Sequence, residues 1–323
     1  MKRVSLLFAV LMLAASLAAQ GVREEQPKVN VSIAALQGPT GFGLARILDE
    51  GAGESEVITI SSQVLPAPAE AVSRMASGEL NAALLPVNLA SVMFNRGLPF
   101  KAAAVTGEGM IHLLSRDPSL SDWQDLTGRT VHVSARGATP DYLTRYILQQ
   151  KGLLDAADLE YSITSAPQLA QMLIAARVEH IVVPEPFATM ADVQGGDQVF
   201  RALDLQEGWK EVTGRDDVYP MTLLVISSDL IQNHPEAAHE LMRLVRESIT
   251  WTRTQHQEAS LIIEEFGILS AAMALPAIPN SGLTFLEMDQ AKRSVEEFLQ
   301  VLYSFDPSSV GGAVPDEQFY WYR

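Results

Sequence analysis

The stretch ALQGPTGFGLARIL, Ala35–Leu48, joins a strand-like run to a helix-like run. VNVSIAAL leads into it and is rich in β-branched residues, whereas LARILDE leads out with a helical pattern. Between the two lie glycines, a proline, a threonine and a phenylalanine: Gly38, Pro39, Thr40, Gly41, Phe42 and Gly43. Such a turn can cradle a phosphate, hold another ligand, or only change the direction of the chain.

Neither of the common nucleotide-binding loops fits this turn. A P-loop needs G-x-x-x-x-G-K-[ST]; Gly38 and Gly43 have that spacing, but leucine and alanine follow where lysine and a hydroxyl are required. A dinucleotide fingerprint G-x-G-x-x-G begins at Gly41, but Arg46 occupies the third glycine position. The remaining interpretations are a ligand cradle and a structural turn.

Outward from this turn, strand-like and helix-like segments alternate along the chain. A first series runs from Val29–Ala35 to Lys101–Val105, and a second from Thr130–Ser134 to Gln198–Arg201. Tyr219–Ser227 then has the pattern of one long apolar strand, and the remainder is mainly helical. This alternation predicts an α/β fold built from parallel, doubly wound sheets.

The two series predict two doubly wound α/β lobes. Thr106–Glu108 and Asp217–Pro220 can connect them, which nests the second lobe inside the first. We predict a first, outer lobe of residues 27–107 plus 220–323, which carries the C-terminal helices, and an inserted lobe of residues 108–219. Two crossings side by side make a two-strand hinge, with a ligand cleft between the lobes.

Comparable turns occur where other predicted strands give way to helices. Asn88, Gly137, Thr139 and Glu185 lie at such turns, as Thr40 does at the first. Because helices begin where parallel strands end, their free N–H groups and positive dipole ends converge on one edge of the sheet. Small polar ligands, and anions above all, bind at this edge. We therefore predict Gly38, Thr40, Gly41, Asn88, Gly137, Thr139 and Glu185 as ligand-binding residues, with Thr40 and Thr139 also as candidate helix N-caps.

Three further residues have two interpretations each. Glu185 stands between the apolar runs HIVVP and PFATMA, where an unpaired charge is costly to bury. It is either an acid stabilised at a helix start or a cleft carboxylate that accepts a ligand N–H or hydroxyl. Trp209 precedes the second crossing and either walls the cleft or seals the hinge, and Phe42 is similar; both are included among the predicted ligand-binding residues.

Sequence motifs for catalysis are missing. The six histidines form no H-E-x-x-H or H-x-H pattern, and no G-x-S-x-G nucleophile elbow occurs. Most carboxylates fall on polar helix faces. We therefore expect a binding protein rather than an enzyme, with no cofactor and no metal.

The N-terminus has the order of a secretory signal peptide. Met1–Arg3 is basic, Val4–Leu13 is apolar, and small residues follow, so we predict a signal peptide of residues 1–18 with cleavage after Ala18. Ala19 and Gln20 are competing cleavage positions, and an uncleaved anchor is the alternative. With no cysteine, the chain has no disulfide and no lipoprotein anchor, which predicts a protein free in the periplasm.

The charge balance narrows the partners. The formal net charge is −16, and loss of Lys2 and Arg3 with the signal leaves it near −18. Nucleic acid and anionic membranes are therefore unsuitable partners, and we expect no membrane insertion after cleavage and a monomer. An anionic small molecule would have to be captured by local dipoles against the overall field.

Three segments together resemble one family. They are SGELNAALLPVNLASVMFNRG (Ser77–Gly97), DLTGRTVHVSARGATPDYLTRYIL (Asp125–Leu148) and VVPEPFATMA (Val182–Ala191). In this order they resemble the substrate-binding proteins of ABC importers, of the nitrate, sulfonate, taurine and thiamine-precursor type. Asn81 and Arg129 depart from the aspartate and lysine frequent in that family.

The resemblance implies a type II periplasmic-binding fold that closes on a ligand between two lobes. It also implies delivery of the ligand to a membrane permease and, indirectly, its ATPase. Ligand identity does not carry over: a sulfonate, nitrate, phosphonate or carboxylate suits the helix starts, whereas Glu185 would suit an amine-bearing ring such as a pyrimidine or a flavin-like compound.

Other functions on such a fold remain open at this point. They are an exported sensory or partner-binding module, a dehydratase-like enzyme, and a binding protein of the tripartite ion-driven importers. A thiamine-pyrimidine synthase similar to this family would need a cysteine-rich iron site, for which the chain has no cysteine.

Overall fold

The structure is a computed structural model that describes residues 27–49, 53–66, 68–134, 136–163, 165–216 and 218–322. The predicted signal peptide lies outside these residues. Among them, no helix combines the length and the apolar character that a membrane span requires.

Strands alternate with helices over most of the described chain. The strands are β1 (Val29–Leu36), β2 (Ile58–Leu65), β3 (Ala82–Pro86), β4 (Phe100–Glu108), β5 (Ile111–Ser115), β6 (Thr130–Val133), β7 (Asp158–Glu160), β8 (His180–Pro184), β9 (Phe200–Asp204), β10 (Pro220–Ser227) and β11 (Leu283–Glu287).

The helices are α1 (Pro39–Phe42), α2 (Ala45–Leu48), α3 (Pro68–Ala76), α4 (Val87–Asn95), α5 (Thr139–Gln150), α6 (Ala166–Ile174), α7 (Phe187–Gly195), α8 (Leu205–Thr213), α9 (Ser228–Asn233), α10 (Pro235–Thr252), α11 (His256–Glu265), α12 (Ala271–Ala277) and α13 (Met288–Phe305). Short 3₁₀ turns cover Trp123–Leu126, Gly196–Gln198, Ile278–Asn280, Pro307–Val310 and Glu317–Phe319.

Two sheets organise these elements. The first has the spatial order β11-β4-β10-β3-β1-β2, and the second has the order β7-β6-β8-β5-β9. β1 is parallel to β2 and β3, and β6 is parallel to β7 and β8. The fold is therefore the predicted α/β architecture with two doubly wound lobes.

Each sheet also contains antiparallel strands, which the prediction of parallel sheets missed. β10 runs antiparallel between β3 and β4, and β11 is antiparallel to β4. In the second sheet, β5 is antiparallel to both β8 and β9. Strands β5 and β10 each follow a crossing between the sheets and run opposite to the strands beside them. The spacing of strands and helices in the sequence does not show the direction in which a strand runs.

The chain passes between the sheets at two places. The first sheet takes its strands from residues 29–108 and 220–287, whereas the second takes its strands from residues 111–204. We propose that the lobes divide as 27–107 plus 220–323 and 108–219, in keeping with this partition of the strands.

Apolar residues cover both faces of the sheets. On one face of the first sheet, a buried cluster includes Phe42 and Ile249; on one face of the second, another includes Leu173 and Val183. The opposite faces share a third buried cluster, which runs from Phe298 of α13 to helices α5 and α8. Burial of each large apolar side chain stabilises the fold by about 1.5–3 kcal/mol, so this shared cluster joins the two lobes strongly.

Candidate ligand-binding cleft

The carboxyl ends of the parallel strands in the two sheets face each other. β4 points the same way as β1 and β3, because all three are related through pairing with β10 or with each other. β4 ends at Glu108 and β5 begins at Ile111, beside the carboxyl end of β8. The short crossing between Glu108 and Ile111 therefore links the carboxyl edge of one sheet to the carboxyl edge of the other. Helix starts from both lobes converge on the space between these edges.

The opening turn has an accessible half and a buried half. Gly38 has φ 90° and open space around the position of a side chain, and both Gly38 and Thr40 are half-buried. By contrast, a Cβ on Gly41 would lie 2.3 Å from the carbonyl oxygen of Leu36, so the close approach requires glycine. Phe42 is fully buried in the core. Gly38 and Thr40 are therefore partly accessible, whereas Gly41 and Phe42 hold the turn together.

The turn begins helix α1 without a side-chain cap. Gly38 occupies the N-cap position, and Thr40 lies inside the four-residue helix. The prediction of Thr40 as an N-cap is therefore wrong, because the helix begins one residue before Thr40.

Asn88 lies at the next helix start of the first lobe. It is the second residue of α4, after the N-cap residue Pro86, and its side chain is half-buried. Because the first N–H groups of a helix lack intrahelical partners, Asn88 and these N–H groups can both serve a ligand at this edge.

In the second lobe, a buried carboxylate holds the glycine turn. Asp141 accepts a hydrogen bond of 2.8 Å from the Gly137 N–H and one of 2.7 Å from the Tyr161 hydroxyl. Gly137 is exposed with φ 77°, and Thr139 is half-buried. Ala138, not Thr139, is the N-cap residue, so that part of the prediction is wrong: the helix includes Thr139 as its first residue.

Two polar residues at this turn escaped the sequence analysis. The exposed Arg136 holds its guanidinium 5.0 Å from the centre of the Tyr161 ring, which brings a positive charge next to Gly137. Ser134 is 1% exposed, and its hydroxyl has no hydrogen-bond partner among the described residues. Arginine and serine are common in loops, so the sequence gives no signal for these two residues. Their position where the carboxyl edges of the two sheets face each other is what makes them candidates.

Glu185 is a buried, paired charge. Its Oε2 accepts a hydrogen bond of 3.1 Å from the backbone N–H of Thr189 in the first turn of α7. Its Oε1 lies 2.8 Å from Arg201 Nη1 and 3.6 Å from His112 Nε2, and its side chain has no exposed area. This geometry matches the first of its two interpretations, an acid stabilised at a helix start.

Burial and charge set the state of the neighbouring histidine. Desolvation, followed by the positive charge of Arg201, lowers the pKa of His112 to about 4, although Glu185 acts in the opposite direction. His112 is therefore neutral at physiological pH, and Arg201 is the cation that balances Glu185.

Arg201 connects Glu185 to the face of α7. Its Nε lies 3.1 Å from Asp192 Oδ2, and its Nη2 donates a hydrogen bond of 2.8 Å to the Thr189 hydroxyl. The same hydroxyl accepts a hydrogen bond of 3.2 Å from Asn280 Nδ2, which belongs to the first lobe. The network thus reaches from one lobe to the other.

Trp209 lies away from the converging turns, in an aromatic cluster between the lobes. It is 3% exposed, and its ring centre lies 5.5 Å from that of Tyr146, 5.9 Å from that of Phe298 and 6.1 Å from that of Tyr219. This position agrees with a residue that seals the hinge side of the molecule.

Titratable clusters elsewhere offer little for catalysis. Ser115 Oγ lies 3.0 Å from His180 Nδ1, but both side chains are buried, and they lie at the edge of the second sheet opposite the cleft. Within the described ranges, no group of three or more histidine, aspartate and glutamate residues could hold a metal ion.

Solved structures show where this fold occurs. An ABC transporter from Parabacteroides distasonis is 24% identical with a TM-score of 0.78, over 91% of this chain and 99% of that one. The periplasmic aliphatic sulphonate binding protein SsuA from Escherichia coli is 15% identical with a TM-score of 0.68, over 92% and 93% of the two chains. The periplasmic nitrate-binding protein NrtA from Synechocystis PCC 6803 is 13% identical with a TM-score of 0.61, over 86% and 82%.

These similarities confirm the fold that the family resemblance implies. A search of curated proteins found no match. The sequence profile of the NMT1-like family matches residues 24–264, which include most of the first lobe and all of the second. The chain therefore belongs to the NMT1-like family.

Proposed function

We propose that this protein is an extracytoplasmic solute-binding protein. It captures a small polar or anionic organic molecule between its lobes and delivers it to an ABC-type permease. The observation that carries this proposal is that the carboxyl edges of both sheets, with their helix starts, face each other across one cleft. Solved structures of the same fold are named as periplasmic sulphonate-binding and nitrate-binding proteins and as an ABC transporter.

The proposed ligand contacts come from both lobes. The first lobe offers Gly38, Thr40 and Asn88, and the second offers Gly137 and Thr139. All five are half-buried or exposed at the facing edges. A ligand that touches both sets binds the closed arrangement better than the open one, and this difference in affinity is what drives closure.

The charges favour an anion over an amine-bearing ring. Arg136 brings a positive charge beside the Gly137 turn, and the twelve-residue helix α5 directs its N-terminus to the same place. The carboxylate of Asp141 at this turn already accepts the Gly137 N–H and is balanced by Arg145, whose Nη1 lies 3.9 Å from Asp141 Oδ2, so Arg136 is the charge left for a ligand. Glu185, which would recognise an amine, is already paired with Arg201 and fully buried. We therefore propose a sulfonate, carboxylate or similar oxyanion as the ligand class, held against the overall negative charge by these local groups.

A thermal-shift screen of alkanesulfonates, nitrate, carboxylates and pyrimidines tests the proposal. We expect at least one oxyanion to raise the melting temperature with increasing concentration. Thr139→Ala should then weaken its binding by about 1–3 kcal/mol through loss of a buried hydrogen bond. The matched control is Thr254→Ala, an exposed threonine at the end of α10. Stabilisation by pyrimidines alone, or equal binding by both variants, would contradict the proposed ligand class or contacts.

A further inference from the structure

Helices of the two lobes meet on the face of the sheets that carries α7 and α12. Asn280, in the 3₁₀ turn after α12, donates a hydrogen bond of 3.2 Å from Nδ2 to the hydroxyl of Thr189 on α7. Beside it, Gln194 Nε2 lies 3.9 Å from Met273 Sδ. Each contact joins one lobe to the other, so it exists only while this side of the cleft is closed.

The Thr189 side of this contact is held in place by its own lobe. The Thr189 backbone N–H is bound by Glu185 Oε2, and its hydroxyl accepts from Arg201 Nη2. Arg201 is in turn fixed by Glu185 and by Asp192. Thr189 is 2% exposed, so its hydroxyl keeps one orientation and presents a fixed acceptor to Asn280. The Thr189 hydroxyl is therefore already oriented before the lobes approach each other, and closure does not cost its conformational freedom again.

The contact between the lobes on the opposite face is larger and combines polar pairs with aromatic packing. The Tyr142 hydroxyl donates a hydrogen bond of 3.1 Å to Asp306 Oδ2, and Arg215 pairs with Glu297. There, Tyr142 of α5 stacks on Phe305 at the end of α13 with ring centres 6.1 Å apart, and Arg145 lies 4.6 Å from the centre of the same ring. Trp209 packs against Phe298 in the cluster shared by both lobes. Separation of this aromatic seam would expose a large apolar area to water, whereas separation of Asn280 from Thr189 breaks one neutral hydrogen bond.

We propose that Asn280 and Thr189 form the closing contact of the cleft, with Arg201 as a positioning residue, and that the lobes open on this side while the aromatic seam stays packed. This inference rests on the proposed function, because it names the movement by which the same cleft admits and retains a ligand. It assigns Asn280 and Arg201 a part in closure without contact with the ligand.

Distance measurements between spin labels test this proposal directly. Since the chain has no cysteine, Glu179→Cys and Leu261→Cys place unique labels on exposed positions of the second and first lobes. A second pair, Glu211→Cys and Arg293→Cys, reports on the seam side. Pulsed electron paramagnetic resonance on the full-length protein, with no ligand added, measures the distance distribution between the two labels. The short and long distances give the closed and open populations.

The expected results separate a direct contact from a general structural effect. Asn280→Ala and Thr189→Val should each raise the open-to-closed ratio about three- to tenfold, the effect of one hydrogen bond. The double variant should shift it no further, because both changes remove the same bond. Thr189→Ser keeps the hydroxyl and should keep the wild-type ratio. Asn233→Ala is the matched control, because it removes a side-chain hydrogen bond that Asn233 donates to Asp229 within its own helix.

Several outcomes would overturn the proposal. They are a wild-type distribution without a closed population, an unchanged ratio in Asn280→Ala, additive effects in the double variant, or a second distance for the seam pair. Because no ligand enters the measurement, these results are independent of the thermal-shift screen. Failure of the closing contact would leave solute capture intact, and failure of the screen would leave the closing contact intact.

Discussion

At the scale of single residues, the opening turn needs glycine at two positions for two different physical reasons, which the sequence motif does not distinguish. Gly38 and Gly41 are three residues apart in the same motif, yet Gly38 needs its positive φ and Gly41 needs its missing side chain. The sequence predicts the turn itself. It does not predict this division, because the 2.3 Å approach to Leu36 depends on how the chain folds back on β1.

The first prediction concerns this difference. Gly41→Ala should lower the free energy of unfolding by about 1–3 kcal/mol, because the new Cβ would overlap the Leu36 carbonyl and the backbone would have to move. Gly38→Ala has open space, but φ 90° with ψ −164° is a conformation nearly restricted to glycine, so it should cost about 1–3 kcal/mol from backbone strain alone. Urea denaturation measures both. Unchanged stability of Gly41→Ala would show that the close approach is not what selects glycine at position 41.

The ion pair of Glu185 with Arg201 shows why the polar network beside the cleft cannot be predicted from the sequence. β5 lies between β8 and β9, so His112 on β5 stands between Glu185 after β8 and Arg201 on β9. Sequence reasoning recognised that Glu185 needs a partner. It could not supply Arg201, because the partner depends on the antiparallel insertion of β5 rather than on spacing along the chain.

At the scale of elements, the strands and long helices follow from apolar periodicity, and the short ones do not. The apolar pattern predicts a strand over Ile111–Ser115, which are the bounds of β5, and a helix over Pro140–Lys151, which is α5 within one residue at each end. The pattern also predicts one helix over residues 41–50, but the structure has two short helices, α1 and α2, between residues 39 and 48. Phe42, Leu44 and Ala45 are all fully buried, and in one regular helix Leu44 would face away from Phe42 and Ala45, so the three could not all face the core from one side.

Three more elements were missed for reasons of context. Helix α8, strand β11 and helix α12 are short. Helix α8 is buried by the cluster that both lobes share, and β11 pairs with β4, whereas α12 packs against the preceding helix α11 and against α7 of the other lobe. Asn280 follows the last of these, which is why the interlobe contact could not be foreseen.

A second prediction concerns the pH dependence of the β5–β8–β9 face. His112 has a folded pKa near 4 and an unfolded pKa near 6.5, so the unfolded chain binds more protons between these values. Stability should therefore be complete above pH 6.5 and fall as the pH drops towards 4. His112→Gln should remove about 1–2 kcal/mol of the loss between pH 7 and pH 5.

Chemical denaturation at several pH values checks this. His180, whose pKa is also lowered by burial, remains in both proteins, and so does Asp204, whose pKa burial raises. The difference between the two pH profiles therefore isolates His112. Parallel profiles for the wild type and His112→Gln would contradict the assigned titration.

At the scale of the whole molecule, the two lobes share one core on one face and a polar contact on the other. The sequence predicts the two lobes of the fold, whereas the bounds of the lobes and the place of the binding turns stay predictions. It does not predict the aromatic seam, because Trp209, Tyr219 and Phe298 lie in three separate segments and meet only when α13 packs across both lobes.

A third prediction follows from the seam. Trp209→Ala should lower the free energy of unfolding by about 3–5 kcal/mol, because it leaves a large cavity at the junction of the lobes. It should also make the two lobes unfold in separate steps, which calorimetry would detect as a broadened or divided transition. Trp251→Ala, at a half-buried position within the first lobe, should cost less and keep a single transition. A single sharp transition in Trp209→Ala would contradict the coupling role of the seam.

The measurement that tests the central claim most directly is native mass spectrometry of the gently purified protein, before and after unfolding and dialysis. The account predicts one small-molecule adduct per chain that is lost on unfolding and regained when the released fraction is returned to the refolded protein. It also predicts weaker retention in Thr139→Ala than in Thr254→Ala. An adduct-free protein that also fails to bind any compound of the screen would contradict solute capture between the lobes.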